Sequence, residues 1–193
     1  MQSNGCAQGR LGRFLNISYD SNGANLRTRA HFVVMTVPLP RLQGITFEPS
    51  LSKAAQQAIS DTHYVRAVKV MLQTKSRFWI EHEVDGMLVS ELPITNTYFL
   101  PPFPNSPKGM IIATYTWETT ADVFFRLSQE EKVQLAVDNL TQVFPEMRDE
   151  FERGASVEWK EGFCIFTPGQ MKKHHDTLRS EVAPNIFLAG EHW

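Results

Sequence analysis

The chain has 193 residues, a formal net charge of −2 at pH 7 and 42% hydrophobic residues, which is typical of a globular chain of one or two domains. Its 19 basic residues are scattered among 21 acidic ones, so no basic patch indicates nucleic-acid binding. Cys6 and Cys164 lack the spacing of a zinc site or a disulfide framework. No apolar run approaches the roughly 18 residues of a membrane span, no signal peptide is visible, and the sequence assigns no compartment.

Apolar and alternating stretches predict strands in the first third of the chain. Residues 14–19 alternate as in a strand that ends at the turn signal of residues 20–23. The continuous apolar run of residues 31–37 predicts a second strand covered on both faces, so that the two form a hairpin leading into a buried strand. The helical spacing of apolar residues in residues 51–59 predicts a short helix packed on that strand.

Residues 66–74 predict a strand that contains an unexpected lysine. Alternation places Lys69 on one face and aliphatic residues on the other. The aliphatic face comprises Val68, Val70 and Leu72. An ammonium group is costly to bury without a partner or a wet cavity. Lys69 therefore either has a specific role or lies on a face that meets solvent.

Residues 110–117 predict another strand, which follows a proline-rich loop. Alternation places Tyr115 and Trp117 on one face. The same face also receives Ile111 and Ala113. Because aromatic residues favour strands, this pattern alone fits either a core pair or part of a site.

Ser128 and Glu131 have the spacing of a capping box, which predicts a helix that ends near Pro145. Long-range strands mixed with a few helices predict an α/β or mixed α+β fold. Neither His174-His175-Asp176 nor Glu81-His82-Glu83 has the spacing of a metal-ligand set, so no metal site is expected.

Four blocks, in order along the chain, resemble the flavin-containing amine oxidases, and most of all the L-amino-acid oxidases. Together they place the resemblance over roughly residues 14–193. The blocks are VVMTVPL at residues 33–39, KVML at residues 69–72 with Phe78 and Trp79, IIATYTW at residues 111–117 with Ala121 and Asp122, and FTPGQ at residues 166–170 leading to FLAGE at residues 187–191.

The resemblance implies part of an FAD/NAD(P)-binding-like domain and a mixed-sheet substrate domain. Residues 1–64 and 179–193 would belong to the FAD-binding domain, and residues 65–178 to the substrate domain. The sequence has no Gly-x-Gly-x-x-Gly turn after a strand to hold the FAD pyrophosphate. We therefore expect a C-terminal fragment that is inactive alone, or one chain of a split enzyme whose partner supplies the missing half. A homo-oligomer is also compatible with this expectation.

The resemblance also implies roles for individual residues. Lys69 matches the lysine that stands beside the flavin N5 and assists reoxidation by oxygen. Tyr115 matches the tyrosine that donates a hydrogen bond to the substrate carboxylate, and Trp117 would line the side-chain pocket. Trp159 matches an aromatic wall of the active site, although the segment between it and Gly162 is shorter than in relatives. A buried core tryptophan is the alternative for Trp159.

At the end of the chain, Gly190 and Glu191 match the residues that hold FAD. The carboxylate would accept hydrogen bonds from ribityl or ribose hydroxyls, and the glycine would permit close approach. The alternative for Glu191 is a solvated carboxylate. A fragment of this kind should also expose apolar surface around residues 32–37 and 186–188.

The function implied by the resemblance is FAD-dependent oxidation of an amine, in particular of an L-amino acid. The products would be a 2-oxo acid, ammonia and hydrogen peroxide, with oxygen as the second substrate. One alternative is a monoamine or polyamine oxidase. The other is a non-catalytic chain that needs a partner carrying the nucleotide-binding half.

Overall fold

A computed structural model describes residues 14–191, so Cys6 lies outside the described part of the chain. The chain divides into two compact units. Of the described residues, the first unit contains those up to Tyr64 and those from Phe163 to Glu191, and the second is Val65–Gly162. Residues 163–178 thus cluster with the first unit, whereas the sequence grouped them with the second. The assignment of these units to flavin and substrate domains stays a prediction.

The strands and helices follow one another in chain order. The strands are β1 (Leu15–Ser21), β2 (Ala24–Ala30), β3 (Val33–Met35), β4 (His63–Thr74), β5 (Met87–Val89), β6 (Asn96–Phe99), β7 (Gly109–Trp117), β8 (Phe151–Ile165) and β9 (Ile186–Leu188). The helices are α1 (Leu39–Leu42), α2 (Lys53–Asp61), α3 (Ala121–Phe125), α4 (Gln129–Val143), α5 (Met147–Glu150) and α6 (Gln170–Arg179). Short 3₁₀ helices occupy Phe78–His82 and Glu118–Thr120. None of the helices within residues 14–191 combines the length and apolarity that a membrane-spanning helix requires.

In the first unit, β1 and β2 form an antiparallel hairpin. Asn22 and Gly23 connect them with φ values of 54° and 82°, as a two-residue hairpin turn requires. The turn prediction is confirmed, but the strand that follows it was placed wrongly. The partner of β1 is the exposed strand β2, whose only large apolar residue is Leu26, so that its alternation was too weak to identify it.

Strand β3 is the short remainder of the strand expected at residues 31–37, and it pairs in parallel with β9. The expectation that both faces are covered is wrong for the described residues, because Phe32 is 64% and Val34 59% exposed. Exposed apolar surface was expected here, and these values confirm it. At β9 the same expectation is wrong for Ile186 and Leu188, which are buried.

Helix α2 confirms the helix predicted at residues 51–59, with its start moved to Lys53. Ser52 is the N-cap, and its hydroxyl accepts a hydrogen bond from the amide of Ala55 at 3.1 Å. The helix buries Ala58 and Ile59. They pack in one apolar cluster with residues of α1, α6 and β9.

The second unit is built on a five-stranded sheet with the order β5-β6-β7-β4-β8. One face packs on α3 and α4 through the aliphatic residues of β4. Both hydrogen bonds of the predicted capping box are present, from the Glu131 amide to the Ser128 hydroxyl and from the Ser128 amide to the Glu131 carboxylate. The helix prediction is therefore confirmed.

A β-bulge changes the faces of β7. Val70 of β4 pairs with Thr114, and Met71 pairs with Ile112, so Ala113 between them has no partner. The alternation of side chains between the two faces of β7 therefore shifts by one residue at the bulge. Those that face the helix-packed core are Ile111, Ala113, Thr114 and Thr116, all 0–2% exposed. The prediction that Tyr115 and Trp117 share a face with Ile111 and Ala113 is wrong, because the simple alternation ignores the extra residue.

Candidate functional site

The face of the sheet opposite the helices brings Lys69 and Tyr115 together. They are directly paired across β4 and β7, because the bulge has shifted the phase of β7 by one residue. The Lys69 ammonium lies 4.2 Å from the centroid of the Tyr115 ring, within the distance at which a cation and an aromatic face attract each other. Lys69 is partly buried rather than fully solvated.

Two tryptophans complete the arrangement. The ring of Trp117 meets that of Tyr115 edge to face, with centroids 5.5 Å apart. The Lys69 ammonium lies 5.7 Å from the Trp159 ring centroid. Trp117 and Trp159 are each 38% exposed, which does not fit the alternative of buried core tryptophans. We call Lys69, Tyr115, Trp117 and Trp159 the lysine–aromatic cluster.

Two polar groups of this cluster, the Lys69 ammonium and the Tyr115 hydroxyl, remain available. Among the described residues, the Lys69 ammonium makes no ion pair and the Tyr115 hydroxyl makes no hydrogen bond. An ammonium carries three donors and a phenol one. Side by side on a partly exposed apolar face, they suit a carboxylate or another electron-rich acceptor. The sequence predicted all four residues separately, but it gave no distances between them.

The sequence alone did not predict that the sheet face carrying Lys69 and Tyr115 extends to β6. Ile112 pairs with Tyr98 of β6 and with Met71 of β4. Directly paired residues lie on the same face of a sheet, so Tyr98 lies on the face of the cluster. The hairpin of β5 and β6 was interpreted as part of a proline-rich loop. The alternating residues 96–99 were the signal that could have identified it.

In the first unit, Gly190 and Glu191 follow β9. Gly190 has φ of 132°, which a glycine adopts readily. The amide of Cys164 donates to both oxygens of the Glu191 carboxylate, at 3.3 and 3.2 Å. The Tyr64 hydroxyl and the Cys164 thiol also hydrogen-bond this carboxylate. The alternative of a purely solvated Glu191 does not describe this arrangement.

Burial and the nearby Glu191 carboxylate raise the pKa of the Tyr64 hydroxyl and of the Cys164 thiol. Burial, and then the hydrogen bond and charge of Glu191, hold the pKa of Tyr64 well above its usual range. Burial and the Glu191 charge raise the pKa of the Cys164 thiol to about 12. Both groups therefore keep their protons at neutral pH and can donate them in hydrogen bonds. The sequence singled out neither residue for a site.

Residues 10–193 match the sequence model of the family described as flavin containing amine oxidoreductase. This chain belongs to that family. The resemblance drawn from the four sequence blocks is thereby confirmed, and the mixed α/β fold class with it. Because the members contain a flavin, the family also implies a flavin cofactor.

Individual members of the amine oxidoreductase family are similar over most of this chain. YobN of Bacillus subtilis (strain 168) is 30% identical over 84% of this chain and 36% of its own length. The L-amino-acid oxidase of Mus musculus is 29% identical over 84% of this chain and 27% of its own length. A triple mutant of putrescine oxidase has a similar structure, with a TM-score of 0.78 at 18% identity, covering 96% of this chain and 41% of the oxidase. The chain thus spans about a third of the length of these curated relatives.

Each unit of this family member contains described side chains that suit one portion of a flavin. An apolar sheet face with aromatic side chains and a lone ammonium suits a flat ring with electron-rich edge atoms. In the other unit, the exposed Glu191 carboxylate suits a hydroxyl-bearing sugar chain. The sequence contains no Gly-x-Gly-x-x-Gly turn for phosphates. Within residues 14–191, no cluster of three metal-ligating side chains occurs.

Proposed function

We propose that the protein uses FAD to oxidise an amine, in particular the α-amine of an L-amino acid. An amino acid, oxygen and water would yield a 2-oxo acid, ammonium and hydrogen peroxide. The observation that carries the proposal is the lysine–aromatic cluster, in which a free ammonium and a free phenol stand side by side on an apolar face. Similarity to the L-amino-acid oxidase of Mus musculus supports it.

In this proposal a bound flavin would supply the redox chemistry as the acceptor of a hydride from the substrate Cα, and the residues of the cluster would hold and orient the substrate. The Tyr115 hydroxyl donates a hydrogen bond to the substrate carboxylate, which fixes the orientation of Cα. Trp117, in edge-to-face contact with Tyr115, limits the size of the substrate side chain. Trp159 excludes water from the other side of the Lys69 ammonium.

Lys69 has a different role in the same proposal. Its ammonium supplies positive charge and proton donors close to the place where oxygen is reduced. Reduction of oxygen to hydrogen peroxide consumes two electrons and two protons, so negative charge develops on oxygen before the protons arrive. A fixed cation stabilises such developing charge strongly in a site with little water.

The role of Tyr115 can be tested with Tyr115→Phe in the full-length protein. We expect KM for L-amino acids to rise about ten- to a hundredfold, because a hydrogen bond to a charged group is lost. KM for simple amines should stay within about twofold, since they carry no carboxylate. Hydrogen peroxide release with a panel of L-amino acids, D-amino acids and amines measures both.

Tyr19→Phe is the matched control for this experiment, because Tyr19 lies in the β1–β2 hairpin of the other unit. Equal effects of Tyr115→Phe on amino acids and amines would contradict the carboxylate role. A wild-type protein that oxidises only simple amines would point instead to a monoamine or polyamine oxidase. Failure of the full-length protein to retain any flavin would support a non-catalytic chain that needs a partner.

A further inference from the structure

We propose that Tyr64 and Cys164 are positioning residues that hold the Glu191 carboxylate as an acceptor for hydroxyl groups on the sugar portions of the flavin cofactor. The inference rests on the proposed function, because it needs a flavin as ligand. It adds to that function two residues that lie outside the lysine–aromatic cluster. All residues concerned belong to the first compact unit.

Three donors of the chain converge on Glu191. The Cys164 amide bonds both carboxylate oxygens at 3.3 and 3.2 Å, and the Cys164 thiol and the Tyr64 hydroxyl add two more bonds. The Leu39 backbone amide in turn bonds the Tyr64 oxygen. Since that oxygen already accepts a hydrogen bond from the Leu39 amide, its own proton is directed to Glu191.

The donors of this hydrogen-bond network are buried or partly buried, whereas the accepting carboxylate faces solvent. Tyr64 is 9% exposed and Cys164 is partly buried, whereas Glu191 is exposed. The carboxylate therefore receives its chain donors from the interior and presents its remaining capacity outward. Gly190, at φ 132°, sets the direction of the backbone immediately before it.

The remaining capacity selects a class of ligand. A carboxylate has about four lone-pair sites. The chain supplies only three donors, because the Cys164 amide is shared between both oxygens at 3.3 and 3.2 Å, so one site remains open to a stronger donor. A hydroxyl group can fill it, because it brings a proton. A phosphate group would be repelled, because both groups are anionic. The geometry therefore favours the ribityl or ribose hydroxyls of a flavin over its phosphates.

The experiment measures equilibrium binding of FAD, riboflavin and lumiflavin to the full-length apoprotein by flavin fluorescence. Lumiflavin has the ring but no hydroxyl-bearing chain. We expect Glu191→Gln to weaken FAD about tenfold and to leave lumiflavin within about twofold. A matching loss for riboflavin would assign the contact to the ribityl chain, and a loss for FAD alone would assign it to the ribose. Either result supports the proposal.

A double-mutant cycle tests the positioning role itself. We expect Tyr64→Phe to weaken FAD severalfold in the wild-type background and to have little further effect in Glu191→Gln, because the phenol acts through the carboxylate. Cys164→Ser, which keeps a donor, should bind FAD more tightly than Cys164→Ala. Tyr19→Phe is again the control. Neither of these comparisons depends on turnover.

Two results would overturn the proposal. Additive effects of Tyr64→Phe and Glu191→Gln would mean that the phenol does not act through Glu191. Equal losses for lumiflavin and FAD would mean that the variants damage the unit generally. In both cases the proposed oxidation of amines would stand, because the wild type still binds flavin. A wild type that binds none of the three flavins would overturn the proposed function and this inference together.

Discussion

At the scale of single residues, Lys69 shows how one charge can be held on an apolar face without an acidic partner. Its ammonium lies over Tyr115 and near Trp159, at 4.2 and 5.7 Å from the ring centroids. A cation over an aromatic face is stabilised by about 0.5–2 kcal/mol, depending on how far it is desolvated. Because no described carboxylate neutralises it, its positive charge remains available to a bound anion.

The variant Lys69→Met tests the role proposed for this charge. Methionine keeps most of the unbranched apolar chain and removes the ammonium. We expect reoxidation of the reduced flavin by oxygen to slow about a hundredfold, while reduction by substrate under anaerobic conditions changes little. Stopped-flow absorbance of the full-length holoprotein measures the two steps separately.

Lys160→Met is the control for that variant. Lys160 is exposed and directly follows Trp159 in β8, so strand alternation places it on the opposite face. It should leave both steps unchanged. A slower reductive step with normal reoxidation in Lys69→Met would refute the oxygen role.

At the scale of elements, the residues of β4 could be assigned to faces from sequence, and those of β7 only in part. Lys69 was correctly separated from Val68, Val70 and Leu72, because β4 alternates regularly. The bulge at Ala113 has no signature in the apolar pattern, since Ala, Thr and Ile all suit a strand. The hairpin β1–β2 was partly missed for a different reason, because β2 is exposed along most of its length and has Leu26 as its only large apolar residue.

Helix α4 was predictable because Ser128 and Glu131 at its start have the spacing of a capping box. We expect Ser128→Ala to lower the free energy of unfolding by about 1 kcal/mol, since it removes the cap of the Glu131 amide and one half of the capping box. Chemical denaturation measures the loss. Hydrogen exchange should show faster exchange at the first turn of α4.

Ser18→Ala, in the exposed hairpin, serves as the control for the cap variant, because Ser18 lies mid-strand opposite Arg27. A loss of the same size in both variants would argue against a specific contribution of the cap.

At the scale of the whole molecule, the first unit is assembled from two segments of chain separated by the second unit. Asp61 at the end of α2 links them. Its carboxylate accepts hydrogen bonds from Lys173 and His174, both at 2.8 Å, and its backbone oxygen accepts one from Gln170. Composition and periodicity cannot reveal such a discontinuous unit. The family resemblance predicts a discontinuous FAD-binding domain, and the correspondence of this unit to that domain stays a prediction.

These hydrogen bonds to Asp61 predict that part of the stability of the fold is lost in acid. Hydrogen bonds from Lys173 and Gln57 lower the pKa of Asp61 from 3.8 to about 2. A carboxylate with a lowered folded-state pKa contributes stability that is fully present above its unfolded pKa and lost as pH falls through the folded pKa. We therefore expect the difference in Tm between wild type and Asp61→Asn to be constant above about pH 5 and to shrink between pH 4 and 2.

Asp176→Asn provides a matched control, because Asp176 lies on α6 and its side chain is fully exposed. Its Tm should follow that of the wild type over the same pH range. A Tm difference for Asp61→Asn that does not depend on pH would contradict the assignment of the stabilisation to the charged carboxylate.

The described tryptophans give the second unit two optically distinct environments. Trp79 is 3% exposed within the core, whereas Trp117 and Trp159 are each 38% exposed on the opposite face of the sheet. A neutral quencher dissolved in water, such as acrylamide, reaches the latter pair long before it reaches Trp79. Intrinsic fluorescence therefore separates events at the lysine–aromatic cluster from events in the core without any added label.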